Sequence, residues 1–167
     1  MPKLNIENTR DLLQRFDFKT LFIEELGWDG HHAKLDVAVD GQTYQLTAIA
    51  EKRGMVVFIC AAAVDYAMRR KIERRVAQSV HEHLIIYIDT DKTSQIWQWV
   101  KREAGKPTAC REHHYHRGQP GDALIQKLQT ITFSLEEEAE LTLVDVTRRV
   151  RTGFNLDRVT KQFYDCF

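Results

Sequence analysis

The chain has 167 residues, 43% of them apolar and 29% charged, which is the make-up of a single soluble globular domain. Lysine plus arginine equals aspartate plus glutamate at 24 each, so no global field draws the chain to nucleic acid or membrane. Any electrostatic role must come from local segregation of charge, as in the five cations at 69–75 and the acids Glu136, Glu137, Glu138 and Glu140. No apolar run approaches the roughly 20 residues that cross a bilayer. The polar start MPKLNIENTRDLL does not read as a signal peptide. Cys60, Cys110 and Cys166 are odd in number, far apart and without a CxxC pair, so a reducing cytoplasm is the expected setting.

Asn8 or Thr9 is predicted to cap a first helix carrying Leu12, Leu13, Phe16, Leu21, Phe22, Ile23 and Leu26, with a break near Asp17 and a stop at Gly27. Trp28 and a turn-prone Asp29-Gly30 follow. Leu35, Val37 and Val39 alternate with polar or small residues, Asp40-Gly41 signals a hairpin, and Tyr44, Leu46 and Ala48 resume the alternation. Lys52-Arg53-Gly54 turns the chain into Met55–Cys60. Residues 33–61 therefore predict a three-stranded antiparallel meander.

Met55–Cys60 and 84–88 are short apolar runs rich in β-branched residues, as expected of strands covered on both faces. Between them Met68, Ile72, Val76 and Val80 recur every fourth residue and form one helical stripe. Two such strands joined by a helix most simply form a right-handed βαβ crossover. The opposite helix face carries Arg70, Lys71, Arg74 and Arg75, with Arg69 at its flank.

Residues 89–93 form a polar turn, and Ile96, Trp97, Trp99 and Val100 predict a further strand whose two tryptophans share a face and pack in a core or interface. Gly105-Lys106-Pro107 bends into 108–116, which can pair back as a hairpin. Gln119-Pro120-Gly121 breaks the chain, and Asp122 opens a helix carrying Leu124, Ile125, Leu128 and Ile131. Ser134 begins an acidic stretch read as a helical turn or a loop. Leu143, Val146 and Val150 predict another helix to about Gly153, and Asn155 caps a last one with Leu156, Val159, Phe163 and Phe167 on one face. The chain stops there without a C-cap, which fits a tightly docked last helix or the leading piece of a longer protein, and the second is the expectation.

These elements predict an α/β fold, a mixed sheet built from an antiparallel meander and a βαβ crossover, followed by C-terminal helices. The expected division is an α/β domain over 1–133 and a helical connector over 134–167. The order helix, meander, helix, strand, Trp-bearing strand is similar to the common core of PD-(D/E)XK nucleases. Longer words carry a more particular resemblance. FDFKTLFIEELGWD at 16–29, AIAEKRGMVVF at 48–58, RRKIERRVAQSVHEHLIIY at 69–87 and QIWQWVKRE at 95–103 resemble the N-terminal region of large bacterial adenine-specific DNA methylases related to Type IIG restriction–modification enzymes. In that family a nuclease-like domain precedes a helical connector, a methyltransferase and a target-recognition region. The resemblance covers most of residues 16–167 and implies a restriction-endonuclease-like core.

A methyltransferase needs a glycine-rich loop for S-adenosylmethionine and an Asn-Pro-Pro-Tyr-like motif for the flipped adenine, and these 167 residues contain neither. That cofactor is expected only in a downstream domain. A PD-(D/E)XK nuclease needs acids for Mg²⁺ and a Lys near the attacking water, with the carboxylate and Lys normally two apart on the third meander strand. Here that strand is Met-Val-Val-Phe-Ile-Cys, which cannot ligate Mg²⁺. Asp36, Asp40, Glu51 and Lys52 remain as catalytic candidates, although adjacent Glu51 and Lys52 point to opposite faces when extended.

Arg69, Arg70, Lys71, Arg74 and Arg75 are the candidate contacts to the DNA phosphate backbone. Glu112, His114 and His116 would share one strand face, with His81 and His83 nearby, but without recognised zinc spacing they read as polar hairpin residues, and no metal site is expected. The resulting expectation is a catalytically degenerate nuclease-like module of a restriction–modification protein. It would contact DNA, a downstream methyltransferase domain or a partner subunit, and no membrane. The alternatives are an active Mg²⁺-dependent DNA endonuclease and a non-catalytic scaffold whose Trp and acidic surfaces hold other proteins.

Overall fold

The first helix, α1 (Ile6–Gln14), starts three residues earlier than Asn8 suggests, in a computed structural model that describes residues 5–80, 82–103 and 106–148, and the side chains of 5–80, 82–100 and 112–136. Asn5 is the cap: its side chain accepts the Asn8 N–H at 3.0 Å, while Thr9 is buried and its hydroxyl donates to the Asn5 carbonyl at 2.8 Å. The predicted break near Asp17 is present. Phe16 takes a left-handed φ of 56°, and the Asp17 carboxylate accepts the Thr20 N–H and hydroxyl. A π-helical segment (Thr20–Glu25) follows, with the Leu26 N–H reaching the Leu21 carbonyl at 3.0 Å. Gly27, at φ 74°, closes it.

The sheet has six strands in the spatial order β1-β2-β3-β4-β5-β6: β1 (Asp29–Val39), β2 (Gln42–Lys52), β3 (Met55–Cys60), β4 (Glu82–Asp89), β5 (Ser94–Glu103) and β6 (Lys106–His116). Neighbours pair antiparallel except β3 and β4, which run parallel because α2 (Tyr66–Ser79) carries the chain between them. The protein is thus α/β with a mixed, mostly antiparallel sheet. The meander and the β3–α2–β4 crossover stand where the sequence places them. Asp29-Gly30 is not a turn but the start of β1, made irregular by a register shift between Gly30 and Ala33.

The two sheet faces bury separate cores. Val37, Leu46, Phe58, Ile85 and Tyr87 pack under α2 through Ile72 and Val76. On the other face Leu12, Phe22, Trp97 and Trp99 pack beneath α1, the π-helical segment and α3 (Asp122–Arg148). Trp97 is the hub. Its ring meets Phe18 edge-on at 5.7 Å, stacks with Phe22 at 6.0 Å and lies 5.9 Å from Trp99, so the strand tryptophans do pack in the core. The Trp28 indole N–H donates to the Thr132 hydroxyl at 3.0 Å, tying the start of β1 to α3.

The acidic stretch from Ser134, read as a helical turn or a loop, is helical and continuous with the helix before it. Leu124, Leu128, Ile131 and Leu135 continue one buried stripe past Ser134, itself buried, and the glutamates that follow favour helix. One helix of 27 residues runs through 133–134 and includes Leu143 and Val146. The segments expected around Val150, Gly153 and Asn155–Phe167 lie outside the described residues.

Candidate functional site

Helix α2 is capped by Asp65, whose carboxylate accepts the Met68 N–H at 2.8 Å. Its apolar stripe faces the sheet and fixes which cations face outward. Lys71, Arg74 and Arg75 are exposed, and Arg70 is half-buried. Lys71 is paired with Asp40 in the β1–β2 turn, and Arg70 with Glu73 at 3.1 Å. Among the described residues Arg74 and Arg75 have no ion-pair partner. From Lys71 to Arg75 these side chains span about 6 Å along the helix axis, on the scale of two phosphate spacings of one strand.

Arg69 has a different environment from its neighbours. Its side chain is 7% exposed and forms a two-pronged pair with Glu112 of β6, Nε–Oε1 at 3.0 Å and Nη2–Oε2 at 2.8 Å, while Nη1 donates to the Val64 carbonyl at 2.7 Å. Those donors are spent inside the protein, so Arg69 is not on the outward face with the other four cations. Spacing sets Arg69 at the flank of the basic face, but its partner, 43 residues away, could not be read from the sequence.

Around this pair sits a buried polar network. The Gln98 amide donates toward Glu73 and Glu112, each at 3.3 Å, and its oxygen accepts the Tyr87 hydroxyl at 3.3 Å. Burial raises the Glu73 carboxyl above its ordinary range, with Arg70 and Arg74 opposing. Burial also acts to raise Glu112, but the hydrogen bonds and charge of Arg69 outweigh it and hold that carboxyl below the usual range. Burial pushes the Tyr87 phenol up, and the Cys60 thiol up to about 11. These groups hold α2 to the sheet.

The four nuclease candidates are not brought together. Asp36 is exposed and pairs across the ladder with Gln45, whereas Glu51 pairs with Asp29, six rungs along β2 from Gln45. At about 3.4 Å per residue that separation is roughly 20 Å. Asp40 sits in the hairpin turn against Lys71. Glu51 approaches His31 at 3.7 Å, while Lys52 reaches Glu136 of α3 at 3.1 Å, so the adjacent pair does diverge. Such a scattered set does not fit a Mg²⁺ centre. Among the described residues no group of three or more His, Cys, Asp or Glu side chains converges as a metal site.

On β6, Glu112, His114 and His116 do share a face, with His114 Nε2 3.5 Å from Glu112, but Arg69 is the dominant partner of that carboxylate. His83 is fully buried on β4 and His81 lies outside the described residues. A feature that sequence reading missed is a cavity of about 540 Å³ lined by the loop Ala62–Asp65 and by the ends of β4, β5 and β6. Its walls come from residues far apart in the chain, and no motif announces it.

No family model and no curated protein matches the chain. Among solved structures, an N-terminal fragment of Leishmania SAS-6 containing parts of its coiled coil domain is 10% identical. The match covers 74% of this chain and 77% of that one, at a TM-score of 0.22.

Proposed function

We propose that this domain is a nuclease-like module without its own active site, of the kind that stands at the head of a bacterial DNA methylase, and that it contacts the DNA phosphate backbone through the outer face of α2. The observation that carries the reading is the pair Arg74 and Arg75, exposed beside Lys71 and without ion-pair partners among the described residues. The element order helix, three-strand meander, helix, strand, with β3 and β4 parallel, supports the nuclease-like part. The scatter of Asp36, Asp40, Glu51 and Lys52 supports the absence of cleavage chemistry on those residues.

Such contacts neutralise phosphates without reading bases. If Arg74 and Arg75 each neutralise one phosphate and Lys71 exchanges Asp40 for a third, log affinity for duplex DNA falls against log salt with a slope of about −3. The test is fluorescence anisotropy on a short labelled duplex across a salt series, with Mg²⁺ present and strand integrity monitored. The expected result is salt-steep binding without cleavage, with the slope collapsing in a Lys71→Ala, Arg74→Ala, Arg75→Ala variant. Equal binding by that variant, or Mg²⁺-dependent cleavage, would overturn the proposal.

A further inference from the structure

On the sheet face that carries α2, side chains from β4, β5 and β6 form successive rungs. The register puts Ile85, Gln98 and Glu112 in one rung, Tyr87, Ile96 and His114 in the next, and Asp89, Ser94 and His116 in the last. The first rung belongs to the Arg69 network. The outer two, with Lys92 and the loop Ala62–Asp65, enclose the cavity of about 540 Å³. It opens at the carboxyl ends of the parallel pair β3 and β4, the location where open α/β sheets take their ligands.

The wall chemistry divides into three kinds of group. Lys92, Ser94 and His116 offer side-chain donors that have no hydrogen-bond partner among the described residues, and His114 stands beside them at 56% exposure. They call for a ligand with clustered acceptor oxygens. Asp65 and Asp89 also line the space, each already accepting backbone N–H groups through Oδ1: Asp65 from Met68, and Asp89 from Asp91 at 3.1 Å and Lys92 at 3.2 Å. Their outer oxygens can accept hydroxyl donors but repel a bare anion. Ala62, Val64, Ile96 and the Tyr87 ring supply apolar surface for a flat group.

We propose that this cavity is a binding site for a nucleoside phosphate. Lys92, Ser94 and His116 would hold the phosphate, a carboxylate of Asp65 or Asp89 the ribose hydroxyls, and the apolar wall the base. A free phosphate engages the donors but brings no ribose hydroxyls to the carboxylates, and a free nucleoside leaves the donors unused. The site is separate from the outer face of α2 and does not depend on DNA contact there.

The experiment is calorimetric titration of the full chain with AMP, with inorganic phosphate and with adenosine. AMP is expected to bind saturably and at least about tenfold tighter than either fragment, since hydrogen bonds to charged groups contribute on that scale. Lys92→Ala and His116→Ala, both at exposed positions, should each weaken AMP about tenfold. Ala63→Trp, which fills the cavity without removing a polar group, should abolish binding while thermal unfolding shows the fold retained. The Lys71→Ala, Arg74→Ala, Arg75→Ala variant should bind AMP as the parent does, which separates this site from the DNA contact. Absence of AMP binding, phosphate binding as tight as AMP, insensitivity to Ala63→Trp, or loss of AMP in the α2 variant would each overturn the proposal.

Discussion

His83 makes the stability of this fold depend on pH in a window that few other groups share. The imidazole is fully buried on β4, its ring edge-on to Phe58 at 6.3 Å, with neither ring nitrogen hydrogen-bonded among the described residues. Burial lowers its pKa from 6.5 to about 3. The folded protein therefore keeps this ring neutral where the unfolded chain protonates it, so protons favour unfolding as pH falls below 6.5 toward 3. Each pH step in that window costs about 1.4 kcal/mol, giving about 2 kcal/mol at pH 5. Above 6.5 the ring contributes no slope.

The perturbation is His83→Leu, which removes the titration and keeps an apolar group of similar size. Urea denaturation of parent and variant between about pH 7 and pH 5 is expected to show their stability difference moving by about 2 kcal/mol in the variant's favour. Packing changes from the swap displace both ends of the comparison equally and cancel. The stability supplied by Glu112, whose carboxyl is held below its ordinary 4.5, is present above that pH and is lost only as pH falls through its folded value. It therefore does not enter the window. Stability curves that stay parallel would refute the account of a neutral, unpartnered ring.

Removing Arg69 takes from Glu112, its side chain 13% exposed, its dominant partner and leaves only Gln98 and His114, so Arg69→Leu should cost about 3 kcal/mol in chemical denaturation. Arg69→Leu combined with Glu112→Leu should recover much of that loss, and a single-variant cost below about 1 kcal/mol would contradict the pairing. At Gly121, φ is +69° and an added Cβ would lie 2.8 Å from the Tyr115 ring, so Gly121→Ala should destabilise by about 1–3 kcal/mol. Unchanged stability there would count against the geometry of the β6–α3 turn. Trp97→Ala opens a cavity at the hub of the aromatic cluster and should cost about 3–5 kcal/mol by the same assay.

The sheet was legible because its signals are local. Asp40-Gly41 names its own hairpin, the unbroken apolar runs at 55–60 and 84–88 mark strands covered on both faces, and the spacing of Ile72 and Val76 gives the helix that joins them. Trp97 and Trp99 were readable as core or interface from size and spacing, and the cluster with Phe18 and Phe22 makes them core. What stayed hidden depends on partners far along the chain. Spacing puts Arg69 at the flank of the basic face, but nothing local names Glu112 of β6 as the carboxylate that holds it inside. Asp36 and Glu51 look neighbourly in a meander, yet a hairpin register sets them roughly 20 Å apart. Between a helical turn and a loop from Ser134 the sequence left the choice open, and Leu135, which continues the stripe that buries α3, decides for helix. The Asp89, Ser94, His116 rung joins three strands and has no footprint in any single stretch.

The central claim is that DNA lies along the outer face of α2. The most direct test is an amide chemical-shift map of the labelled protein titrated with a short duplex at low salt. The account predicts that the perturbed amides cluster at Arg70, Lys71, Arg74, Arg75 and the neighbouring Asp40 turn, and fade as salt is raised. Shifts concentrated on the opposite sheet face around α1 and α3, or no shifts at any salt, would contradict it.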